Sequence, residues 1–180
     1  MTTQKMFGTD GVRGQVGVEP MTPQTIMRLA HAAGALIAAR HLSRSMRPVV
    51  VIGTDTRVSA PMFEAALQAG FSAAGVDTVM CGEMPTPGIA YLTRMRGYQG
   101  GVVVSASHNP FDDNGIKFFS ASGDKLPDEM EREIEAAMAG PQSCVRSAQL
   151  GMSSHLRDAG DMYVDFCKRA MPTGLNLRGL

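Results

Sequence analysis

Val49-Val50-Val51-Ile52, four β-branched residues in a row behind Pro48, constrain this chain more than any other segment. A run without polar alternation suits a strand covered on both faces, so the surrounding sequence must supply two covering layers. It does, in alternation. Thr22-Pro23 opens a helix whose apolar stripe is Ile26, Leu29, Ala30, Ala33, Leu36 and Ile37. Ser59-Ala60-Pro61 opens a second, with Phe63, Ala66, Leu67, Gly70 and Ala74 on one side and Gly75 as its stop. Thr78–Cys81 reads as another strand, Thr86-Pro87 as the start of a helix to about Met95, and 101–104 as the next strand. This βαβ rhythm predicts a largely parallel sheet with helices on both faces. Further on, 116–120 reads as a strand, 127–138 as a helix with acids in its first turn, 141–160 as irregular, and 161–170 as a last amphipathic helix.

Open parallel sheets bind ligands beyond the C-terminal ends of their strands. Three polar segments fall there: Gly53–Arg57, Gly82–Thr86 and Ser105–Asn109. The last is chemically the richest. Ser105-Ala-Ser-His-Asn-Pro offers two hydroxyls, an imidazole and an amide, Asp113-Asn114-Gly115 reads as a turn, and Lys117 returns from the next strand. Ser107 with His108 beside it and Lys117 opposite is a candidate phosphate-handling or nucleophile site. Neighbours on an extended chain point apart, so adjacency alone does not make His108 the base for Ser107. Ser105, Ser107 and Asn109 serve equally well as caps of a strand end, and the residues alone leave both readings open. Lys117 shares its strand face with Phe119 and is tolerable where its ammonium reaches solvent or an anion.

Phe7-Gly-Thr-Asp-Gly-Val-Arg-Gly14 is neither a P-loop nor a dinucleotide fingerprint. Arg13 and the loop's amides suit a phosphate, and a tight turn leading into the domain explains the glycines as well. Asp55 and Arg57 read as a local ion pair shaping the loop before Ser59. Formal net charge is zero over 180 residues, which gives no global field for nucleic acid. Three cysteines, odd in number and widely spaced, fit a reducing compartment and no zinc pattern. Residues 1–6 lack the apolar core of a signal peptide and no apolar run is long enough to span a bilayer, so a cytoplasmic protein without membrane partners is expected.

Together FGTDGVRG at 7–14, GTDTRVS at 53–59 and SASHNPFDDNGIKFF at 105–119 resemble the α-D-phosphohexomutase superfamily, most closely its branch of bacterial phosphoglucosamine mutases. The resemblance implies a first domain built as a three-layer α/β/α sandwich with a mixed, largely parallel sheet. It implies that Ser107 is the phosphoserine that donates and recovers a phosphoryl group, and that Ser105 supports its loop. Arg13 would stabilise the transferring phosphate; His108 and Lys117 would assist proton transfer or charge stabilisation. The implied substrate is a phosphosugar, glucosamine 6-phosphate, converted to the 1-phosphate through a bisphosphate. The implied cofactor is Mg²⁺, coordinated by the Ser107 phosphate and three aspartates. A phosphomannomutase or phosphoglucomutase, and a non-catalytic binding domain of the same fold, remain as alternatives.

The sequence departs from that pattern. The superfamily's Asp-Gly-Asp-x-Asp-Arg metal loop is absent, as are its sugar-recognition and later phosphate loops, and Asp112-Asp113 lies inside a turn. The expectation is therefore a first domain over 1–160, with 161–180 a helix and linker towards a second domain. Such a chain alone would bind Mg²⁺ incompletely or not at all and lack mutase activity. A homo-oligomer is left open.

Overall fold

A computed structural model describes residues 6–41, 46–172, 174, 175, 178 and 179, so the N-terminal residues 1–5 and part of the 175–180 tail lie outside the described residues. Among the described residues the α-helices and strands follow one another as β1 (Val12–Gln15), α1 (Pro23–Arg40), β2 (Val49–Thr54), α2 (Ala60–Ala73), β3 (Asp77–Glu83), α3 (Thr86–Arg96), β4 (Gly100–Val104), β5 (Asp113–Ser120), α4 (Asp128–Ala139), β6 (Ser153–His155) and α5 (Ala159–Arg169). The six strands form one sheet in the order β1-β5-β4-β2-β3-β6. β2 is parallel to β3 and β4, and β3 to β6, whereas β5 runs antiparallel to both β4 and β1. The α/β/α architecture with a mixed, mostly parallel sheet is thus the one that the alternation and the resemblance predict.

Helix starts follow local chemistry. The Thr22 hydroxyl accepts from the Thr25 amide and Pro23 occupies the first turn of α1, where its missing N–H costs nothing. α3 ends on Gly97 at φ 68°, left-handed backbone that glycine adopts without a Cβ clash. The valine-rich centre of β2 is covered on both sides. Val50, Ile52, Val102 and Val104 face Leu29 and Ala33 of α1 and Phe63 and Leu67 of α2. Val51 and Val103 face Ile89 and Leu92 of α3 together with Ala159 at the start of α5. Each such buried aliphatic contributes roughly 1.5–3 kcal/mol. α5 closes over α3 through Tyr91 and Phe166, whose rings stack with centroids 4.1 Å apart.

Three segments differ from the sequence reading. Asp113-Asn114-Gly115 is no turn but the start of β5, paired with Gln15, Gly14 and Arg13 of β1. The reversal comes earlier, closed by Asn109 N–H to Ala106 O at 3.1 Å and Asp113 N–H to Pro110 O at 3.1 Å. A paired edge outweighs the local turn preference here because β1 on one side and the chain after β4 on the other give this segment partners that an isolated turn lacks. β1 starts inside the glycine-rich 7–14 segment and ends at Gln15, and its short length and glycine content hid it. Likewise 141–160, expected to be irregular, holds one 3₁₀ turn and the short edge strand β6. All three residues of β6 are exposed, so no hydrophobic alternation marks it.

Candidate active site

β4 ends at Val104, and the chain leaves the sheet through Ser105. The Ser105 amide still donates to Gly115 O of β5 at 2.8 Å, while its side-chain oxygen accepts the Ser107 amide at 3.0 Å. That serine turn tips Ser107 to φ 57°, the left-handed conformation it alone adopts among described non-glycine residues. Left-handed backbone disfavours a Cβ residue by about 1–2 kcal/mol, so something must hold it.

Arg57 holds it. From the loop after β2, its guanidinium donates to four carbonyls of the serine loop: Ser107 at 3.2 Å, Asn109 at 2.8 Å, Asp113 at 3.0 Å and, in a short contact, Pro110. Asp55 orients the side chain, with Nε donating to its Oδ2 at 3.1 Å, and also receives the Arg57 amide. The expected Asp55–Arg57 ion pair is present and shapes its own loop, and through the guanidinium it also holds the loop after β4. Asp55 N–H reaches Val104 O at 2.9 Å, and Asn114 Nδ2 reaches Ser59 Oγ at 2.8 Å, so both loops are also tied to each other directly.

Ser107 and His108 are exposed at the tip, with Ser107 Oγ 3.5 Å from His108 Nδ1. That is longer than the roughly 2.6–3.2 Å reach of a working general base. Asp113 Oδ2 accepts from Asn109 Nδ2 at 2.9 Å and Asp112 O accepts from the Val16 amide at 2.9 Å, so both aspartates brace the reversal.

Arg13 and Lys117 come together on the neighbouring strands. Arg13 stands opposite Gly115 and Lys117 opposite Val103, which puts both on the sheet face that carries α3. Gly115 makes room: a Cβ there would lie 3.0 Å from Arg13 Cγ and 2.8 Å from Ser105 O. From Arg13 to Ser105 is two strand spacings, about 10 Å, a span that long basic side chains can cover. Lys117 is largely buried and its Nζ donates to Asp10 Oδ2 at 2.7 Å; Arg13 Nη2 donates to the same oxygen. Asp10 sits at the tip of a tight hairpin closed by Gly8 N–H to Gly11 O at 2.9 Å. Gly11, at φ 87°, packs so closely on β5 that a Cβ would meet Ile116 O at 2.3 Å. The Lys117 hydrogen bond holds the Asp10 carboxyl below the ordinary carboxylate range; burial opposes it, and the charges of Lys117, Arg13 and Lys125 add to it.

The residues read from the sequence therefore form two adjoining pairs, Ser107 with His108 and Arg13 with Lys117. No hydrogen bond or ion pair joins the pairs among the described residues. Asp10 and the clamping role of Arg57 escaped the sequence. The carboxylate between two glycines and an arginine three residues past a strand end were the only local signals. Among the described residues no three His, Cys, Asp or Glu side chains gather as metal ligands. The expected Mg²⁺ thus finds at most the Ser107 oxygen here and no set of donors that fits it.

Residues 4–143 match the family model described as phosphoglucomutase/phosphomannomutase, alpha/beta/alpha domain I. The phosphoglucosamine mutase of Janthinobacterium sp. (strain Marseille) is 59% identical over 177 residues, 98% of this chain and 40% of that protein. The phosphoglucosamine mutase of Azoarcus sp. (strain BH72) is 58% identical over 178 residues, again 98% of this chain and 40% of the relative. The chain thus spans about 40% of the length of these curated relatives. Among solved structures, a putative phosphomannomutase from Thermus thermophilus superposes with a TM-score of 0.74 at 33% identity, covering 92% of this chain and 36% of that one. A phosphoglucomutase/phosphomannomutase family protein from Burkholderia thailandensis shares the fold at TM-score 0.76 and 24% identity, over 97% of this chain and 38% of that one.

Proposed function

The chain belongs to the phosphoglucomutase/phosphomannomutase family through its alpha/beta/alpha domain I, and from that premise we propose that it is the phosphoryl-carrying domain of a phosphoglucosamine mutase. The observation that carries the reading is the placement of Ser107. Its hydroxyl is exposed on a left-handed residue at the C-terminal edge of the sheet, beside the two strands whose cations, Lys117 and Arg13, converge on one oxygen.

The chemistry follows from these groups. A phosphoserine at position 107 passes its phosphoryl group to a hydroxyl of glucosamine 6-phosphate. The bond from phosphorus to Ser107 Oγ breaks as the bond to the sugar oxygen forms, and the sugar's proton goes to the nearest base. His108 Nδ1, 3.5 Å from Ser107 Oγ on the leaving-group side of the phosphorus, is the group beside the departing serine oxygen that can return a proton to it. The bisphosphorylated sugar then turns and returns its other phosphoryl group to Ser107, leaving glucosamine 1-phosphate. Phosphoserine carries about −1.5 to −2 charges. Arg13 and Lys117 are the cations placed to offset them, and such positioning with electrostatic stabilisation is what phosphoryl transfer needs. Mg²⁺ would add charge neutralisation with ligands drawn from outside this chain's described residues. In this reading 1–160 is the carrier domain and 161–180 a helix and connection onward.

Intact-mass analysis of the longer protein purified from cells should show one phosphate, mapped to Ser107 by fragmentation. Ser107→Ala should leave the fold unchanged, because an exposed hydroxyl contributes little packing, and lower mutase turnover by several orders of magnitude. Near-wild-type turnover in that variant sinks the reading. The 58–59% identity with two phosphoglucosamine mutases favours glucosamine phosphate over the mannose and glucose phosphates. Relative kcat/KM for the three sugars checks that choice.

A further inference from the structure

Asp10 has no evident structural duty that a smaller polar residue would not meet. Its side chain is about half exposed, at 54%. Its hairpin is already closed by backbone and by the packing of Gly11. Yet one of its oxygens takes both Arg13 and Lys117. The match between carboxylate and cations is incomplete. Arg13 Nε is buried without any hydrogen-bond partner, the one side-chain atom in that state among the described residues. A buried donor left unpaired costs about 1–3 kcal/mol. In this arrangement Asp10 serves Nη2 and Lys117 through a single oxygen and leaves Nε unserved. A tetrahedral phosphate can present one oxygen to Nη2, a second to Nε and a third to the ammonium, the forked mode in which guanidinium binds phosphate best. Charge points the same way: two cations are half-neutralised by one carboxylate and fully matched by a phosphate of about −2.

We propose that Asp10 is a displaceable stand-in for a phosphoryl group: it occupies Arg13 and Lys117 while no phosphate is present and yields them when one arrives. The source of that phosphate, phosphoserine 107 or the sugar, rests on the reading above; the competition itself does not. Holding the cations with a resident anion keeps two positive charges from repelling one another on adjoining strands and keeps them aimed. Releasing Asp10 requires only a side-chain rotation at Thr9-Asp10, because Gly8 and Gly11 anchor the hairpin on either side.

The test uses inorganic phosphate as probe, titrated into the 180-residue chain at constant ionic strength and followed by amide NMR. In the wild type the Asp10 and Gly11 amides should move together with saturation. Asp10→Asn should bind phosphate about tenfold more tightly, the equivalent of losing two competing half-exposed ion contacts. Lys117→Met should weaken binding in both backgrounds. Equal or weaker phosphate affinity in Asp10→Asn overturns the proposal, as does the absence of saturable phosphate binding in both proteins. If Asp10→Asn fails to give a folded spectrum, Asp10→Ser carries the same expectation. A longer protein without phosphate on Ser107 would refute the carrier reading and leave this affinity ratio intact. An unchanged ratio with Ser107 phosphorylated would refute the stand-in alone.

Discussion

Removing Arg57 should loosen the serine loop far more than the domain. The side chain is 13% exposed and spends its donors on four carbonyls between Ser107 and Asp113, plus the Asp55 carboxylate. Hydrogen bonds with a charged partner are worth about 1.5–3 kcal/mol each in isolation. These carbonyls lie at the surface, however, so water replaces much of what Arg57→Ala removes, and the bonds act as one unit. A net loss of about 2–3 kcal/mol follows, near the upper end of ordinary single substitutions. For a chain of this size that lowers Tm by about 5–10 °C. The local effect is sharper. The Asn109 and Asp113 amides close the reversal through Ala106 O and Pro110 O, and their hydrogen exchange should accelerate about 30- to 100-fold. Amides in the centre of β2 and β4 exchange through global unfolding and should remain the slowest of the domain in the variant. Arg57→Lys keeps a charge near Asp55 but cannot fork across four carbonyls, so it should fall nearer to alanine than to wild type. Exchange at Asn109 and Asp113 that is unchanged in Arg57→Ala refutes the clamp.

Gly115→Ala places a Cβ 3.0 Å from Arg13 Cγ and 2.8 Å from Ser105 O; it should cost activity of the longer enzyme and phosphate affinity of this chain together, with chemical-shift changes centred on Arg13 and Ser105. Burial, aided by the charges of Asp158 and Glu64, pushes the Cys81 thiol up to about 12, so mass-resolved alkylation near pH 8 should label the exposed Cys144 and Cys167 and spare Cys81. Glu64 is raised above the ordinary glutamate value of 4.5 by burial, against an opposing pull from His155. An acid with a raised folded value is penalised once ionised, so this penalty is absent at pH below 4.5 and grows as pH climbs past it. Glu64→Gln should therefore raise Tm at pH 7 and leave it unchanged at pH 3.5.

Much of this molecule was legible because much of it is local. The Val49–Ile52 run, the Thr22-Pro23 start and the apolar stripes of α1 and α2 are periodic signals within single elements, and the helices and central strands appear where those signals lie. β1 and β6 carry no such signal. They are strands because β5 and β3 offer them partners about a hundred and about seventy-five residues away in the chain. Asp113-Asn114-Gly115 carries the wrong local signal, a turn, and the pairing with β1 overrules it.

The site divides along the same line. Ser107, His108, Lys117 and Arg13 were nameable from residue type, strand ends and family wording, since chemistry requires those groups whatever surrounds them. Their arrangement was not. Only the sheet order sets β1 beside β5 and β5 beside β4, so that Arg13 lies over Gly115 and meets Lys117 on Asp10. Likewise only the packing of two strand-end loops delivers Arg57 to carbonyls some fifty residues downstream. Residue identity and periodicity are properties of the chain taken a few residues at a time. Which charges share an oxygen, and which loop a guanidinium holds, depend on strand neighbours that no short stretch of sequence encodes.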